Sequence, residues 1–431
     1  MPASLRSMTR TASDGLEFRN PLHPQFWLQD QSAIDAELAL LHKQPPAFFA
    51  EQDASELGLP VGEGAWVVTH YDAIIEMSKN PETFSSAQGF TLLDFPPEFN
   101  EFFASILAMD DPRHSRLRRL VSAGFTPRML TRLEDGVRQQ ARDIIADVAE
   151  RGSCDFVVDV AARLPLVIVC DLMGVPRSEL GFVFDQSNVI LGAGDPEYVP
   201  ESSDIVTAIL EAGGALAELM KSVAQSKRNK ETDDLTSILV NAEIEGERLT
   251  DQEIASFFIL LVVAGNETTR NAISWGLHYL TENPDQRKDW QDNREAVTPT
   301  AVEEIVRLSS PVTFMRRTAT TDVDLHGASI KAGDKLTLTY LAANRDPSVF
   351  DDPLRFDVRR DPNRHLGFGG PGPHFCLGAH LARREIGVMF NELFDHLPDI
   401  VAVSQPDPLQ SNFIHGVKHL QAEWTPTTVS S

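Results

Sequence analysis

The sequence predicts a mainly α-helical protein with a minor β-sheet portion. Three observations carry that expectation. Helical apolar spacing recurs through most of the chain. One capped apolar run is far too long for a strand. Segments with strand-like residues are few, short and hemmed by turn signals.

The elements follow in order. Met1 to Phe18 is polar without an apolar core, so no secretory leader is expected and residues 1–20 read as a tail. Trp66 to Tyr71 reads as a strand. Glu134 to Arg151 places Val137, Ala141, Ile144, Ile145 and Val148 at helical spacing. Gln225 to Asp234 is polar and reads as a loop between helices. Thr250 and Glu253 form a capping box, in which the hydroxyl caps a free backbone N–H and the carboxylate returns the bond. From there the pattern stays helical to Asn283, where Pro284 stops it. That helix is roughly 50 Å long at 1.5 Å per residue. It is apolar on most sides between Ile254 and Ala264, so it must cross the interior. Asp322 to Gly333 and Lys335 to Tyr340 read as hairpin strands. Ala379 to Phe394 reads as a helix. No linker, repeat or charge block divides the 431 residues, so one large domain over 1–431 is expected.

Composition narrows the function classes. Apolar residues make up 42% and charged residues 23%, which excludes wholesale disorder. Lys plus Arg is 38 against 63 Asp plus Glu, a net charge of −25. That balance disfavours nucleic acid and anionic membrane partners. The longest apolar run, Phe257 to Ala264, falls short of the roughly 20 residues a spanning helix needs. A cytoplasmic protein is expected. Of the three cysteines, Cys154 and Cys170 read as small buried hydrophobes.

Cys376 differs. Between His365 and Cys376 lie four glycines and two prolines, a backbone built to approach something closely. A thiol just before a helix sits among free N–H donors at the positive dipole end, which favours thiolate. Such a thiolate is a metal ligand or a nucleophile. As a nucleophile it has His374 two residues away and no third orienting group. As a zinc ligand it lacks partner cysteines. A haem-iron axial ligand needs one thiolate, a slim loop against the porphyrin and N–H groups bonding sulfur, and this segment supplies all three.

The segment resembles the haem-binding loop of the cytochrome P450 superfamily. Gly372, His374, Cys376 and Gly378 fall in the family register. Phe368 stands eight residues before the cysteine instead of the commoner seven, a departure that bears on how Phe368 packs near sulfur. The resemblance covers about residues 60 to 420. It implies the single-domain fold of that family around the long central helix, haem b (iron protoporphyrin IX) as cofactor and Cys376 as metal ligand.

Three other motifs gain meaning from it. Ala264-Gly-Asn-Glu-Thr-Thr269 interrupts the central helix with poor helix formers. Alone it could be a buried polar cluster. By resemblance the helix opens over the haem there, Ala264 touches the cofactor, Thr268 hydrogen-bonds the oxygen being split, and Glu267 relays protons. Glu304 and Arg307, spaced i, i+3, would alone be a surface ion pair. By resemblance they form a buried clamp with Arg360, or with Arg359 as the alternative. His114 and Arg118 share a helix face and would alone be a basic surface. By resemblance they bind haem propionates with Arg317 and His374, while Phe368 and Gly378 complete the cofactor-binding set.

The resemblance also implies monooxygenase chemistry. The thiolate pushes electron density toward iron and favours O–O cleavage. Dioxygen, a ferredoxin and its reductase are the implied partners, and a monomer is expected. Arg113, Arg116, Arg119, Arg128, Arg383 and Arg384 could offer an acidic ferredoxin a basic face. The implied pocket residues are Leu93, Phe103, Leu260, Val263, Ala264, Val312, Met315, Phe413 and Ile414, a lining suited to an aliphatic or isoprenoid substrate. Glu253 to Ala264, Thr300 to Arg307, Leu381 to Ile386 and Phe413 to Gly416 resemble the mycobacterial branch that hydroxylates methyl-branched lipids at the chain terminus. Terminal hydroxylation of a methyl-branched or isoprenoid lipid is therefore expected. Sterol side-chain or terpenoid hydroxylation is the nearest alternative, and a haem-binding sensor without turnover is the alternative from another class.

Overall fold

Helices are built from the apolar spacing just described, and each buries one stripe. The computed structural model describes residues 9–11, 17–51, 59–60, 62–122, 127–200, 204–228, 230, 232–241, 243 and 248–429. The helices that position the site are α1 (Arg113–Ser122), α2 (Pro127–Ala149), α3 (Arg163–Met173), α4 (Leu180–Leu191), α5 (Ile205–Lys227), α6 (Asp251–Glu282), α7 (Arg294–Ser309) and α8 (Ala379–His396).

The expected capping box begins α6. The Glu253 N–H donates to Thr250 Oγ1 at 3.1 Å, and the Thr250 N–H donates to Glu253 Oε2 at 2.8 Å. The helix then runs unbroken to Glu282, with Pro284 starting the next one. It belongs to two apolar cores. Ile254 to Val262 packs with α3 and α5, around Leu216, Met220 and Leu172. Ala272 to Leu280 packs with α2, α7 and α8, around Ile305, Phe390 and Ile145. The polar Ala264–Thr269 segment falls between these cores. Helical hydrogen bonding is retained through it, so the expected local opening is not seen.

A five-stranded sheet stands to one side, made of β1 (Ala47–Phe49), β2 (Ala65–Val68), β3 (Phe84–Ser85), β4 (Met315–Ala319) and β5 (Lys335–Leu338). Its spatial order is β1-β2-β5-β4-β3, with β5 parallel to β2 and antiparallel to β4. The expected hairpin is shorter than its sequence signal. Val323–Leu325 and Ala328–Ile330 pair with each other, while Lys335–Leu338 joins the large sheet. The strand read from Trp66 ends at Val68 because Tyr71 opens a helix, where its N–H is capped by the Asp346 carboxylate at 3.0 Å. Of the N-terminal tail, residues 1–8 and 12–16 lie outside the described residues, and Thr9–Thr11 pairs antiparallel with Glu17–Arg19. Among the described residues no helix is long and apolar enough to cross a membrane.

Candidate active site

The cysteine loop is shaped by its glycines. Gly369 adopts φ +84, a left-handed conformation that side chains resist. At Gly372 a Cβ would collide with the Ser78 carbonyl, so the loop lies directly on the helix Tyr71–Lys79. The Cys376 N–H donates to the Phe368 carbonyl at 3.0 Å, which closes the loop. Cys376 then precedes α8, whose N-terminal N–H groups from Gly378 and Ala379 bond to sulfur.

That sulfur faces a large cavity. Its empty space is about 1480 Å³ when the open solvent at its mouth is included. α6 supplies one wall through Leu260, Ala264 and Thr268, and β4 supplies another through Met315 and Arg317. The period of two along β4 points both of these inward and turns Arg316 the other way, onto Asp94 at 2.8 Å. Val312 also lines the space.

The residues implied to hold carboxylates converge at the cavity edge. Arg118, Arg317 and His374 line it. His114 stands behind His374, with ring centroids 4.3 Å apart. Its Nε2 is buried without a partner, an orphaned group that a propionate could satisfy. Burial, reinforced by Arg317, His114 and Arg118, pushes His374 down to about 2, so its ring is neutral and can donate one N–H. Ser86 Oγ lies 3.1 Å from His374 Nε2, and Ser86 is itself placed by Asp110, which accepts from its N–H at 2.8 Å. Nothing in the residue types around Ser86 signalled this support. The donor set, the slim loop and the lone sulfur fit a haem.

Cys376 departs from expectation in one respect. Cys376 opens onto the cavity, and enclosure by the surrounding protein pushes its thiol up, against the lowering effect of the Gly378 and Ala379 N–H groups and of Arg118 and Arg383. The helix dipole alone does not make it a thiolate. A metal ion held by this sulfur would favour its thiolate form.

The clamp is assembled around Glu304. Arg307 donates to it through Nε at 2.7 Å and Nη2 at 2.8 Å, and Arg360 Nε follows at 3.1 Å. Arg359 turns outward to Asp289.

Other expected residues stand elsewhere. Glu267 is buried but does not line the cavity. It is ion-paired with Arg270 and accepts from Asn271 Nδ2 at 3.0 Å, because the 100° helical step turns it away from Ala264 and Thr268. Thr268 Oγ1 gives its proton to the Ala264 carbonyl at 2.7 Å. Its free lone pairs therefore suit it to accept from a protonated oxygen. Leu93, Phe103, Val263, Phe413 and Ile414 are absent from the cavity wall. Phe103 packs on Phe99 and Phe102, and Phe413 packs on Phe90 and Phe314, so both sit one layer back. Ile414 is bridged to Val312 and buried behind it. Their places are taken by Ile106, Leu107, Val169 and Leu172, which helical spacing alone marks only as core. The basic face is also reduced. Arg113 pairs with Glu101, Arg116 with Glu253 and Arg383 with Glu303. The side chain of Arg128 lies outside the described residues.

Comparison with known proteins decides the family. Residues 204–412 match the family model for cytochrome P450. A methyl-branched lipid omega-hydroxylase of Mycobacterium tuberculosis is 46% identical over 404 residues, covering 93% of each chain. The chain belongs to the cytochrome P450 family. A steroid C26-monooxygenase of Mycobacterium bovis is 39% identical over 90% of this P450 and 89% of that protein. A Mycobacterium marinum cytochrome P450 in complex with pseudoionone superposes with a TM-score of 0.87 at 38% identity, covering 93% of this chain and 97% of that one. The fold is the P450 fold, and the chemistry is that of a haem-thiolate monooxygenase.

Proposed function

We propose that this P450 hydroxylates the chain terminus of a methyl-branched or isoprenoid lipid. The carrying observation is the wall above Cys376. Leu260, Val312 and Met315, with Ile106, Leu107 and Leu172, present apolar side chains, while the charged residues of the cavity lining are Arg118, Arg317 and Glu385. A narrow apolar chain is the substrate such a wall accepts. The 46% identity to a methyl-branched lipid omega-hydroxylase supports the same reading. Sterol side-chain oxidation is a second reading, favoured by the 39% identity to a steroid C26-monooxygenase.

The bound cofactor, haem b in this proposal, supplies the iron at which dioxygen is activated. The chain supplies the rest. Cys376 would offer its sulfur to the iron, steadied by the Gly378 and Ala379 N–H groups. Arg118, Arg317, His114 and His374 would hold the propionates, with Phe368 and Gly378 beside the sulfur ligand. Thr268 would accept a hydrogen bond from a protonated oxygen while its own hydroxyl donates to the Ala264 carbonyl. Glu267 would relay protons by leaving Arg270, taking a proton from solvent and passing it toward Thr268. The apolar wall keeps bulk water from the reacting C–H.

Electrons come from a ferredoxin and its reductase. The protein acts as a cytoplasmic monomer, with residues 1–431 forming one unit. The test titrates branched and linear fatty acids, isoprenoid esters and sterols for a low-to-high-spin shift, then identifies products made with NADPH and a surrogate ferredoxin and reductase. A terminal alcohol from a branched chain is expected. Tight binding of compact aromatics alone overturns the lipid assignment, and spectral binding without product under reducing conditions points to a sensor.

A further inference from the structure

The extra residue between Phe368 and Cys376 calls for something to fix the longer loop, and the structure shows what does so. Glu303, on α7 beside the clamp, binds both sides of the loop. Its Oε2 lies 2.8 Å from His365 Nε2 at the loop entrance. Arg383, on α8 beyond the loop exit, donates to it through Nε at 2.5 Å and Nη2 at 2.9 Å. The same guanidinium lies over the Phe368 ring, 4.3 Å from its centroid. Phe368 in turn accepts the Cys376 N–H at its carbonyl. A chain of direct contacts therefore runs from Glu303 through Arg383 and Phe368 to the sulfur-bearing residue.

We propose that Arg383 is the positioning residue of the thiolate loop: fixed by Glu303 and seated on Phe368, it holds the longer loop in place and sets a positive charge behind Cys376 that tunes the reduction potential of the bound haem. The inference rests on the haem-thiolate reading. It is independent of which lipid is oxidised. The partner-docking role expected for Arg383 is replaced by this internal one, because a side chain held bidentately has little freedom to meet another protein.

The sign of the effect follows from charge. Reduction adds an electron at the iron, so a nearby cation favours the ferrous state and a nearby anion disfavours it. R383Q removes the cation and should lower the haem midpoint potential. E303Q removes the anion and should raise it. Each shift should be about three- to tenfold in the ferrous-to-ferric ratio at fixed poise, since both groups are partly solvent-screened. R383K keeps the charge but loses the fork, and should hold the potential while lowering the melting temperature. The experiment measures midpoint potentials of the haem-loaded proteins with redox dyes, and the carbon monoxide spectrum of each as the check on sulfur ligation. Opposite shifts for R383Q and E303Q establish the proposal. Shifts of the same sign, or potentials unchanged while melting temperatures fall, reduce the bracket to loop packing and overturn it. If R383Q cannot retain haem, R383K and E303Q decide: an unchanged potential with a raised one supports the role, and any other pair refutes it. Failure of lipid hydroxylation alters none of these readings.

Discussion

Replacing Glu304 with Gln isolates the charge of the clamp at nearly constant shape. Glu304 and Arg307 are 0% exposed, and Arg360 is 10% exposed. The carboxylate also accepts from the Asp357 N–H at 2.9 Å and from Asn363 Nδ2 at 3.1 Å. E304Q keeps one oxygen but turns an NH₂ group toward guanidinium donors, and two buried cations lose their counter-charge. Removing one partner of a buried pair costs about 3–5 kcal/mol. The neighbouring Arg359–Asp289 pair, 52% and 30% exposed, is the control, and losing it should cost about 0–1 kcal/mol. At about 2.1 cal/mol/K per residue, unfolding of 431 residues carries roughly 0.9 kcal/mol/K of entropy. E304Q should therefore lower the melting temperature of the haem-loaded protein by about 3–5 °C, and R359A by about 1 °C or less. Far-ultraviolet circular dichroism and haem absorbance, followed together through the melt, measure both. An E304Q protein that melts with the R359A protein refutes the buried-clamp reasoning.

Two further outcomes follow from single side chains. Glu385 on α8 is buried, its Oε2 has no partner, and burial pushes it up to about 8. A folded value raised above the ordinary glutamate value of 4.5 means that its contribution to stability is full below pH 4.5 and is lost as pH rises toward 8. E385Q should flatten that decline, melting above the parent near pH 8 and level with it below pH 4.5; a parent that loses no stability relative to E385Q across this window contradicts the assignment. T268A removes the acceptor beside Ala264, so product formed per NADPH consumed should fall at least about tenfold while the substrate-induced spin shift persists, and full retention of coupling would exclude the role given to Thr268.

The parts of this P450 visible in its sequence are those whose chemistry is local. Cys376 could be read because glycines, a lone thiol and a helix start are contiguous. The two ends of α6 were marked by a capping box and a proline, and both stand as read. Glu304 and Arg307 are neighbours on one helix, so spacing brought them together, although only the fold shows that they are buried. What the sequence hid depends on which way a face turns after packing. Helical spacing marks Val169 and Leu172 as apolar, but whether they meet another side chain or an open cavity depends on where α3 crosses α6. Phe413 and Phe103 carry the same apolar signal and end one layer behind the wall. Glu267 and Thr268 are adjacent in sequence, yet the helical step gives one to Arg270 and the other to the cavity. The same argument covers Arg383: its charge suggested a partner protein, and only the approach of α7 to α8 shows that Glu303 reaches it first. An ionic side chain near a functional loop is therefore weak evidence for a docking face until the carboxylates packed against it are known, and in a chain with a net charge of −25 such a carboxylate is seldom far away.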